Sequence, residues 1–233
     1  MAFTYRKNDV DWRAIELSLR LSTLTTLVLL ILGLPLASWL AFSRWRWKFF
    51  VEAVVALPII LPPTVLGFYV LIAIGPHSPI GQAYAAITGQ GLPFSFQGLL
   101  VASVLYSLPF AVQPFTAAIS TVDQRLIEAS WCLGRGWLAT FFRVTLPLAW
   151  PGVLTGMVLS FAHTLGEFGV VLMIGGNLAG ITRTISISIY DQVQALDYGA
   201  ANQTALALLL FSFLVLAVTY GLQRRGIAVW PTH

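Results

Sequence analysis

The chain alternates between long apolar stretches and short polar ones, and this alternation predicts its elements. A helix needs roughly 20 residues to cross the hydrocarbon core of a bilayer. Five apolar stretches reach that length, at 17–42, 51–74, 98–119, 150–174 and 203–222. Between Glu52 and Asp123 there is no Lys, Arg, Asp or Glu, which leaves room for two crossings and the turn between them. The pattern predicts an all-α membrane protein with about five transmembrane helices.

The polar stretch between the third and fourth apolar segments differs from the others. From Glu128 to Pro147 it reads EASWCLGRGWLATFFRVTLP, with charged residues and glycines that suit contact with water. Its apolar neighbours suit lipid instead. Two interpretations remain open at this point: a docking site for a soluble partner, or an amphipathic connector that rests on the bilayer.

Helix rules predict the local structure of this insert. Ser120 and Thr121 are placed to cap a helix over 123–133, and Gly134 is placed to end it because a left-handed residue there needs no β-carbon. A second helical piece is expected over 136–143. After it, Leu146-Pro147 is expected to turn the chain back toward the membrane.

Prolines are densest in the second apolar segment. Pro58, Pro62 and Pro63 fall within six positions there, and each proline in a membrane helix frees a backbone carbonyl that neighbouring helices or water must satisfy. Single prolines are compatible with simple kinks, as at Pro35, Pro109 and Pro114. Three prolines so close together predict that the second segment is broken and that the break lines a cavity.

Ionisable residues inside apolar segments are expensive in lipid and usually face a pathway or a partner. His163 and Glu167, four positions apart in the fourth segment, are predicted to share one helix face. A metal site would need a third ligand, which the neighbouring sequence does not offer, so a satisfied buried histidine is the preferred interpretation of His163. Glu167 follows Pro147 by about 30 Å of helix and is expected near the outer membrane edge, as a gate residue or as an interfacial carboxylate.

Composition agrees with the membrane class. The chain is 58% hydrophobic and 9% charged, with a mean hydropathy of +0.82, whereas about 25% of the residues of a soluble domain are charged. The net charge of +4 comes from scattered basic residues that form no patch with interleaved aromatics, which argues against nucleic acid as a partner. Cys132 is the single cysteine, so it forms no disulfide within the chain and is expected to be a small apolar filler.

Basic residues collect in short loops on the cytoplasmic side of a membrane, so their positions predict the orientation of the chain. With the amino terminus outside and the carboxyl terminus inside, the following basic residues fall inside: Arg44, Arg46, Lys48, Arg125, Arg135, Arg143, Arg224 and Arg225. Those that fall outside are Arg6, Lys7, Arg13, Arg20 and Arg183. Because the leader opposes this orientation, residues 8–22 are alternatively an interfacial amphipathic helix anchored by Trp12.

The insert resembles the EAA loop of ABC importer permeases, whose pattern is Glu-Ala-Ala, three residues, Gly, nine residues, Ile, any residue, Leu-Pro. Ser130 in place of Ala and Val144 in place of Ile are the departures. The residues that the resemblance assigns to coupling with an ATPase are Glu128, Ala129, Ser130, Gly134, Leu146 and Pro147. It implies a type I ABC importer permease fold, with a cytoplasmic coupling-helix loop over 120–149 between helices 3 and 4.

The resemblance extends over roughly residues 15–225. In detail, the chain is similar to molybdate permeases. The stretches that carry it are 57–71, 75–81 and 163–190. Residues 178–184 lack the proline and glutamate that molybdate relatives usually have after Gly-Asn, and sulfate and thiosulfate permeases are the nearest alternative. The implied divisions are a periplasmic or interfacial leader at 1–16, a transmembrane domain at 17–222 and a cytoplasmic tail at 223–233.

The family resemblance implies the function and the partners. The chain is expected to carry molybdate, with tungstate as a further candidate, across a bacterial inner membrane by alternating access. Its expected partners are a second copy of itself, two cytoplasmic ABC ATPase subunits, a periplasmic or lipid-anchored oxyanion-binding protein and membrane lipid. The chain itself is not expected to be an enzyme or to bind a cofactor or metal. It is not expected to bind ATP as a P-loop protein does, since its only lysines are Lys7 and Lys48 and neither follows a glycine. ATP and Mg²⁺ are expected on the ATPase partner.

A weakly binding pathway lined by polar, uncharged groups is expected, because a deep site would trap a dianion. The pathway and gate candidates are Pro62, Pro63, Thr64, Thr164, Glu167, Gly169, Asn177 and Arg183. An ion-coupled secondary transporter remains a more remote alternative, although such carriers usually show matching repeats with broken helices in both halves, and none are evident here.

Overall fold

A computed structural model describes the backbone of residues 11–227 and the side chains of residues 11–219 and 221. Every regular element in that range is helical. The helices are α1 Trp12–Phe42, α2 Lys48–Ile60, α3 Pro63–Ile74, α4 Pro79–Thr88, α5 Phe96–Ser120, α6 Gln124–Cys132, α7 Trp137–Thr140, a π-helical turn Phe141–Thr145, α8 Leu146–Gly166, α9 Gly169–Gly175, α10 Ile185–Gln194 and α11 Tyr198–Ile227. Residues 1–10 of the predicted leader, with Arg6 and Lys7, and 228–233 of the predicted tail lie outside the described residues, as do the side chains of Arg224 and Arg225.

The predicted membrane segments correspond to these helices. Four continuous helical stretches within residues 11–227 are long and apolar enough to cross a bilayer, and α2 with α3 forms a fifth crossing bent by 115°. The expectation of about five transmembrane helices is confirmed. The separate interfacial helix proposed for residues 8–22 is wrong over its described part, because residues 12–22 belong to α1 without a break. Asp11 caps that long helix by accepting a hydrogen bond from the Ala14 amide at 3.1 Å.

Helices α1 and α5 run parallel, side by side. At one end the Arg20 guanidinium lies 4.8 Å from the centre of the Phe96 ring. Towards the other end Gly33 of α1 lies against Val112 and Phe115. We call the end of the bundle that carries α6 the insert side and the opposite end, where α1 and α5 begin, the far side. Parallel packing of two crossings requires the intervening α2–α3 pair to return through the membrane.

Two buried clusters occupy the two halves of the bundle. The far-side cluster joins α3, α5 and α9 through Val70, Leu99 and Ile174. The insert-side cluster joins α1, α5 and α8 and is centred on Phe115, which is fully buried. Since lipid is as apolar as these side chains, close packing rather than water exclusion holds such helices together.

Helices α5 and α8 approach each other closely. Gly152 and Gly156 lie one turn apart on α8, and a β-carbon on either would clash, with Ala118 and with the Phe115 ring respectively. Small residues spaced by four let membrane helices approach closely. Pro109 and Pro114 lie inside the uninterrupted α5, so they accompany its packing without breaking it.

Two crossings are broken. The α2–α3 break at Leu61-Pro62 confirms that the second segment is broken, as the clustered prolines predicted. That this break lines a cavity stays a prediction. The second break was not predicted: α8 ends at Gly166, Glu167 has extended backbone, and α9 starts at Gly169. The fourth membrane segment therefore does not continue to residue 174 as expected.

The helix predicted in the insert is present, but the predicted cap and the predicted turn back toward the membrane are wrong. Asp123, not Ser120 or Thr121, caps α6, because its carboxylate accepts a hydrogen bond from the Arg125 amide at 2.9 Å. Gly134 has φ of +75°, which confirms the left-handed stop. No turn occurs at Leu146-Pro147, because α7, the π-helical turn and α8 follow one another without a gap. Pro147, which has no amide hydrogen to donate to the preceding turn, comes just after the π-helical turn. Helices α4 and α10 were not predicted.

Candidate functional sites

The insert is anchored to the membrane helices through one face of α6. Ile127 is buried, and the Ser130 hydroxyl shares a buried hydrogen bond of 2.9 Å with the Thr140 hydroxyl of α7. Because Thr140 leads directly into the π-helical turn and α8, α6 is tied to the membrane-crossing rod that follows it.

The opposite face of α6 and the bend after it lie open. Glu128 and Ala129 are exposed, as is Gly134, and Leu133 is 79% exposed. Cys132 is also exposed, so its expected role as an apolar filler is wrong. An exposed surface that mixes a carboxylate with large apolar side chains is suited to contact with another protein.

The structure divides the predicted coupling residues into two places. Glu128, Ala129 and Ser130 lie on α6, with Gly134 at its end. Leu146 and Pro147 lie in the first turn of α8, beyond the π-helical turn. Their assignment to coupling stays a prediction.

A hydrogen-bonded group lies between α5 and α8. The Ser107 hydroxyl lies 3.0 Å from His163 Nδ1 and 2.8 Å from the Thr164 hydroxyl. The His163 ring stacks on Phe110, with 3.9 Å between ring centres, and contacts Tyr106. His163 is part-buried, with Nδ1 within hydrogen-bond distance of a hydroxyl, which agrees with a structural histidine except for its partial exposure. No group of three His, Cys, Asp or Glu among residues 11–227 is placed to hold a metal ion.

Glu167 lies in the α8–α9 break and is only 6% exposed. Neither carboxylate oxygen has a hydrogen-bond partner of good geometry among the described residues, and the amides of Val170 and Val171 at the start of α9 face it. Because α8 ends before Glu167, the expectation that Glu167 and His163 share one helix face is wrong. An ionisable residue buried in a membrane segment without firm partners is a candidate functional residue.

The two breaks touch. A β-carbon on Gly169 would lie 2.6 Å from Cβ of Pro63, and one on Gly67 would lie 2.9 Å from Cβ of Met173. The half-helices α3 and α9 thus pack together. Of the pathway candidates, the structure brings Pro63, Glu167 and Gly169 to this point, while Pro62 and Thr64 lie exposed at the start of α3.

Asn177 and Arg183 lie in a separate network on the far side. Arg183 Nε donates to Asn177 Oδ1 at 2.7 Å, and the Asn177 amide donates to both oxygens of Asp191 at 2.9 and 2.8 Å. Arg183 also pairs with Asp191 at 3.3 Å. Asn177 has φ of +61°, a conformation that asparagine tolerates better than most residues.

The pathway candidates therefore fall into three places: the touching breaks, the Ser107 group that holds Thr164, and the Asn177 network. Sequence reasoning missed Asp191 and Ser107. Asp191 is the one acidic residue between Glu167 and Asp197. Because it lies only eight positions after Arg183, the sequence could have suggested that the two form an ion pair. Ser107 lies 56 residues from His163, and no sequence signal joins them.

Comparison with known proteins gives consistent matches over most of the chain. The family model described as "Binding-protein-dependent transport system inner membrane component" matches residues 33–226. The molybdenum transport system permease protein ModB of Azotobacter vinelandii is 52% identical over 93% of this chain and 96% of its own length. The protein of the same name from Escherichia coli K12 is 36% identical over 89% of this chain and 92% of its own.

Solved structures show the same fold. A chain of a bacterial ABC transporter that imports the acidic polysaccharide alginate superposes with a TM-score of 0.73 at 19% identity, covering 91% of this chain and 78% of that one. A chain of an inward-facing structure of the MetNI methionine ABC transporter superposes with a TM-score of 0.71 at 18% identity, covering 93% and 95%. At these identities the likeness concerns the fold alone.

Proposed function

The chain belongs to the family of binding-protein-dependent transport system inner membrane components, and we propose that it is the permease that carries molybdate in an ATP-driven importer. The similarity to molybdenum transport permeases, at 52% identity over nearly the full length, carries this proposal. Molybdate is the soluble oxyanion form of molybdenum. Tungstate has the same charge and shape and is a second candidate for the same pathway.

Coupling to ATP hydrolysis would occur at the insert. The open face around Glu128 and Leu133 would bind a cytoplasmic ATPase subunit, which would hydrolyse ATP with Mg²⁺. The Ser130–Thr140 hydrogen bond and the continuous α7–α8 rod support this proposal, because movement of α6 would reach the membrane crossing without a flexible loop. A shift of one rigid element can then favour one side of a two-state opening.

The gate would lie where the two breaks touch. Backbone groups freed at Pro62-Pro63 and at Glu167-Phe168 offer dipoles and no fixed positive charge, which favours passage of a dianion over tight binding. Glu167, buried at the break, would line this gate. Arg183 is held by Asp191, so in this proposal it shapes the far-side loop and does not attract the anion.

The basic residues support an orientation with the insert in the cytoplasm. Described basic residues on the insert side are Arg44, Arg46, Lys48, Arg125, Arg135 and Arg143, against Arg13, Arg20 and Arg183 on the far side. The excess follows the positive-inside rule. In this proposal the amino terminus would lie outside and the carboxyl terminus inside a bacterial inner membrane. A delivery protein would then dock on the far side. The exposed apolar face of α11, which includes Leu209 and Phe213, would contact lipid or a second copy of the chain.

Molybdate uptake into proteoliposomes that contain the chain with its ATPase and binding protein tests the proposal. Uptake is expected to require ATP and to be inhibited by tungstate more strongly than by sulfate. Glu128→Lys is expected to abolish uptake while the variant still inserts. The same charge change at Glu52, which is exposed on α2 and not on α6, is the matched control. Uptake that persists without the ATPase would contradict the importer, and normal uptake by Glu128→Lys would contradict docking at α6.

A further inference from the structure

A cleft of about 510 Å³ opens on the insert side, between the end of α1 and the insert. Ser43 and Arg44 form one wall, Gln124 and Trp131 of α6 form the opposite wall, and Trp137 lies beside the π-helical turn. Neither the gate nor the exposed α6 face uses this space. Its size suits a small polar headgroup.

The cleft carries positive charge. Arg44 is the single charged residue among the described residues that line it, and its exposed guanidinium forms no ion pair with a described carboxylate. The Ser43 hydroxyl accepts from the Trp45 amide at 3.2 Å, which leaves its hydrogen free to donate. A guanidinium, a hydroxyl and the Gln124 amide, with no carboxylate among them, favour an anion such as a phosphate.

The same cleft lies at the level where a membrane meets water. Trp131 and Trp137 are half exposed at its rim, and Trp45 and Trp47 are exposed on the adjoining α1–α2 corner. Tryptophan concentrates at the headgroup level of membranes, and the fourth membrane span begins at Trp137. An anion with an apolar tail fits these walls better than a freely soluble one.

We propose that this cleft binds the phosphate headgroup of an anionic phospholipid, with Arg44 paired to the phosphate and the acyl chains leaving past Trp137. The face of α6 that lines the cleft carries Gln124, Ile127 and Trp131, spaced as one helix stripe. Glu128 is exposed and does not line the cleft, so lipid and a docked protein contact α6 on different faces. The bound lipid fills the space between α1 and the π-helical turn and stabilises the position of the insert.

Native mass spectrometry of the purified full-length chain, released from nanodiscs that mix phosphatidylglycerol with phosphatidylcholine, tests the proposal. The unmodified chain is expected to retain phosphatidylglycerol preferentially. Arg44→Gln is expected to weaken that retention about tenfold, as expected for the loss of one charge-assisted hydrogen-bonded pair. Arg46→Gln is the matched control: its guanidinium lies 5.0 Å from the Trp47 ring centre and it does not line the cleft.

Three results would overturn the proposal. They are equal retention of both lipids by the unmodified chain, equal losses in the two variants, and displacement of the lipid by tail-free glycerol 3-phosphate or by molybdate at concentrations similar to the lipid's own. The last result would assign the cleft to a soluble anion. Retention that falls in Arg44→Gln alone and resists both soluble anions supports a lipid site.

Discussion

Replacing Gly156 with alanine tests the close approach of the two helices that flank the insert. A β-carbon at this position would lie 2.6 Å from Cε1 and 2.8 Å from Cδ1 of Phe115, and 3.0 Å from the carbonyl oxygen of Ala111. Phe115 is fully buried at the centre of the insert-side cluster, so its ring has no free space into which to move. The substitution is expected to push α5 and α8 apart.

The expected cost follows from two opposing effects. Forcing an extra methyl group into a packed core costs about 1–3 kcal/mol. Alanine in place of glycine inside a helix recovers up to about 1 kcal/mol of that cost. We therefore expect Gly156→Ala to lower the free energy of unfolding by about 1–2 kcal/mol.

Reversible unfolding in mixed detergent micelles, followed by circular dichroism, measures this change. Gly166→Ala is the matched control, because it lies in the same helix and a β-carbon there meets nothing within 4 Å. The control is expected to be neutral or slightly stabilising. Adding Phe115→Leu to Gly156→Ala should show favourable coupling, since the smaller side chain makes room for the methyl group. Equal effects of the two glycine substitutions, or no coupling with Phe115, would refute the argument.

Three further substitutions test other contacts. Ser130→Ala should destabilise the chain by about 1–3 kcal/mol, because it leaves the buried Thr140 hydroxyl without a partner, and unfolding measurements would show it. Gly169→Ala should reduce proteoliposome uptake without preventing insertion, because its methyl group would strike Pro63 and separate the two breaks. Asp191→Asn should lower the melting temperature slightly and make it less sensitive to salt, because the part-exposed pair with Arg183 is worth about 1 kcal/mol or less.

Each of these has a control or an outcome that would contradict it. Adding Thr140→Val to Ser130→Ala should restore much of the lost stability, since neither partner is then left unsatisfied; a larger, additive loss would count against a direct bond. The control for Gly169→Ala is Gly91→Ala, because a β-carbon at Gly91 meets nothing within 4 Å. Gly91→Ala should leave uptake unchanged. Equal inhibition by the two substitutions would contradict a role for the contact between the breaks. An unchanged salt response in Asp191→Asn would show that the ion pair contributes nothing.

The sequence predicted the crossings well because each depends on local apolar length. It also predicted the broken second segment, since three prolines within six positions deprive one helix of several amide donors. Pro109 and Pro114 show the limit of that reasoning: α5 runs through both. Whether a proline breaks a membrane helix depends on neighbours that satisfy the freed carbonyls, and those neighbours are not visible in the local sequence.

The break at Glu167 went unpredicted for a related reason. No proline lies there, and although Gly166 and Gly169 flank Glu167, the apolar stretches on both sides extend like those of a continuous helix. The break follows from tertiary packing, since Gly169 must approach Pro63 closely for α9 to lie on α3. The insert was recognisable because its charges contrast with its apolar flanks. Its helix cap was predicted two or three residues too early, because several neighbouring residues, including Asp123, are able to cap a helix.

The packing of α3 on α9 constrains the order in which the protein can be completed during synthesis. Alone, α3 has 12 residues and is about 18 Å long, too short to cross a bilayer of about 30 Å. Its buried residues Leu66 and Val70 belong to the same cluster as Val170 and Ile174, which leave the ribosome roughly a hundred residues later. Until α9 has been synthesised, α3 must therefore be held without its packing partner. The translocon or a chaperone is suited to hold it during that time.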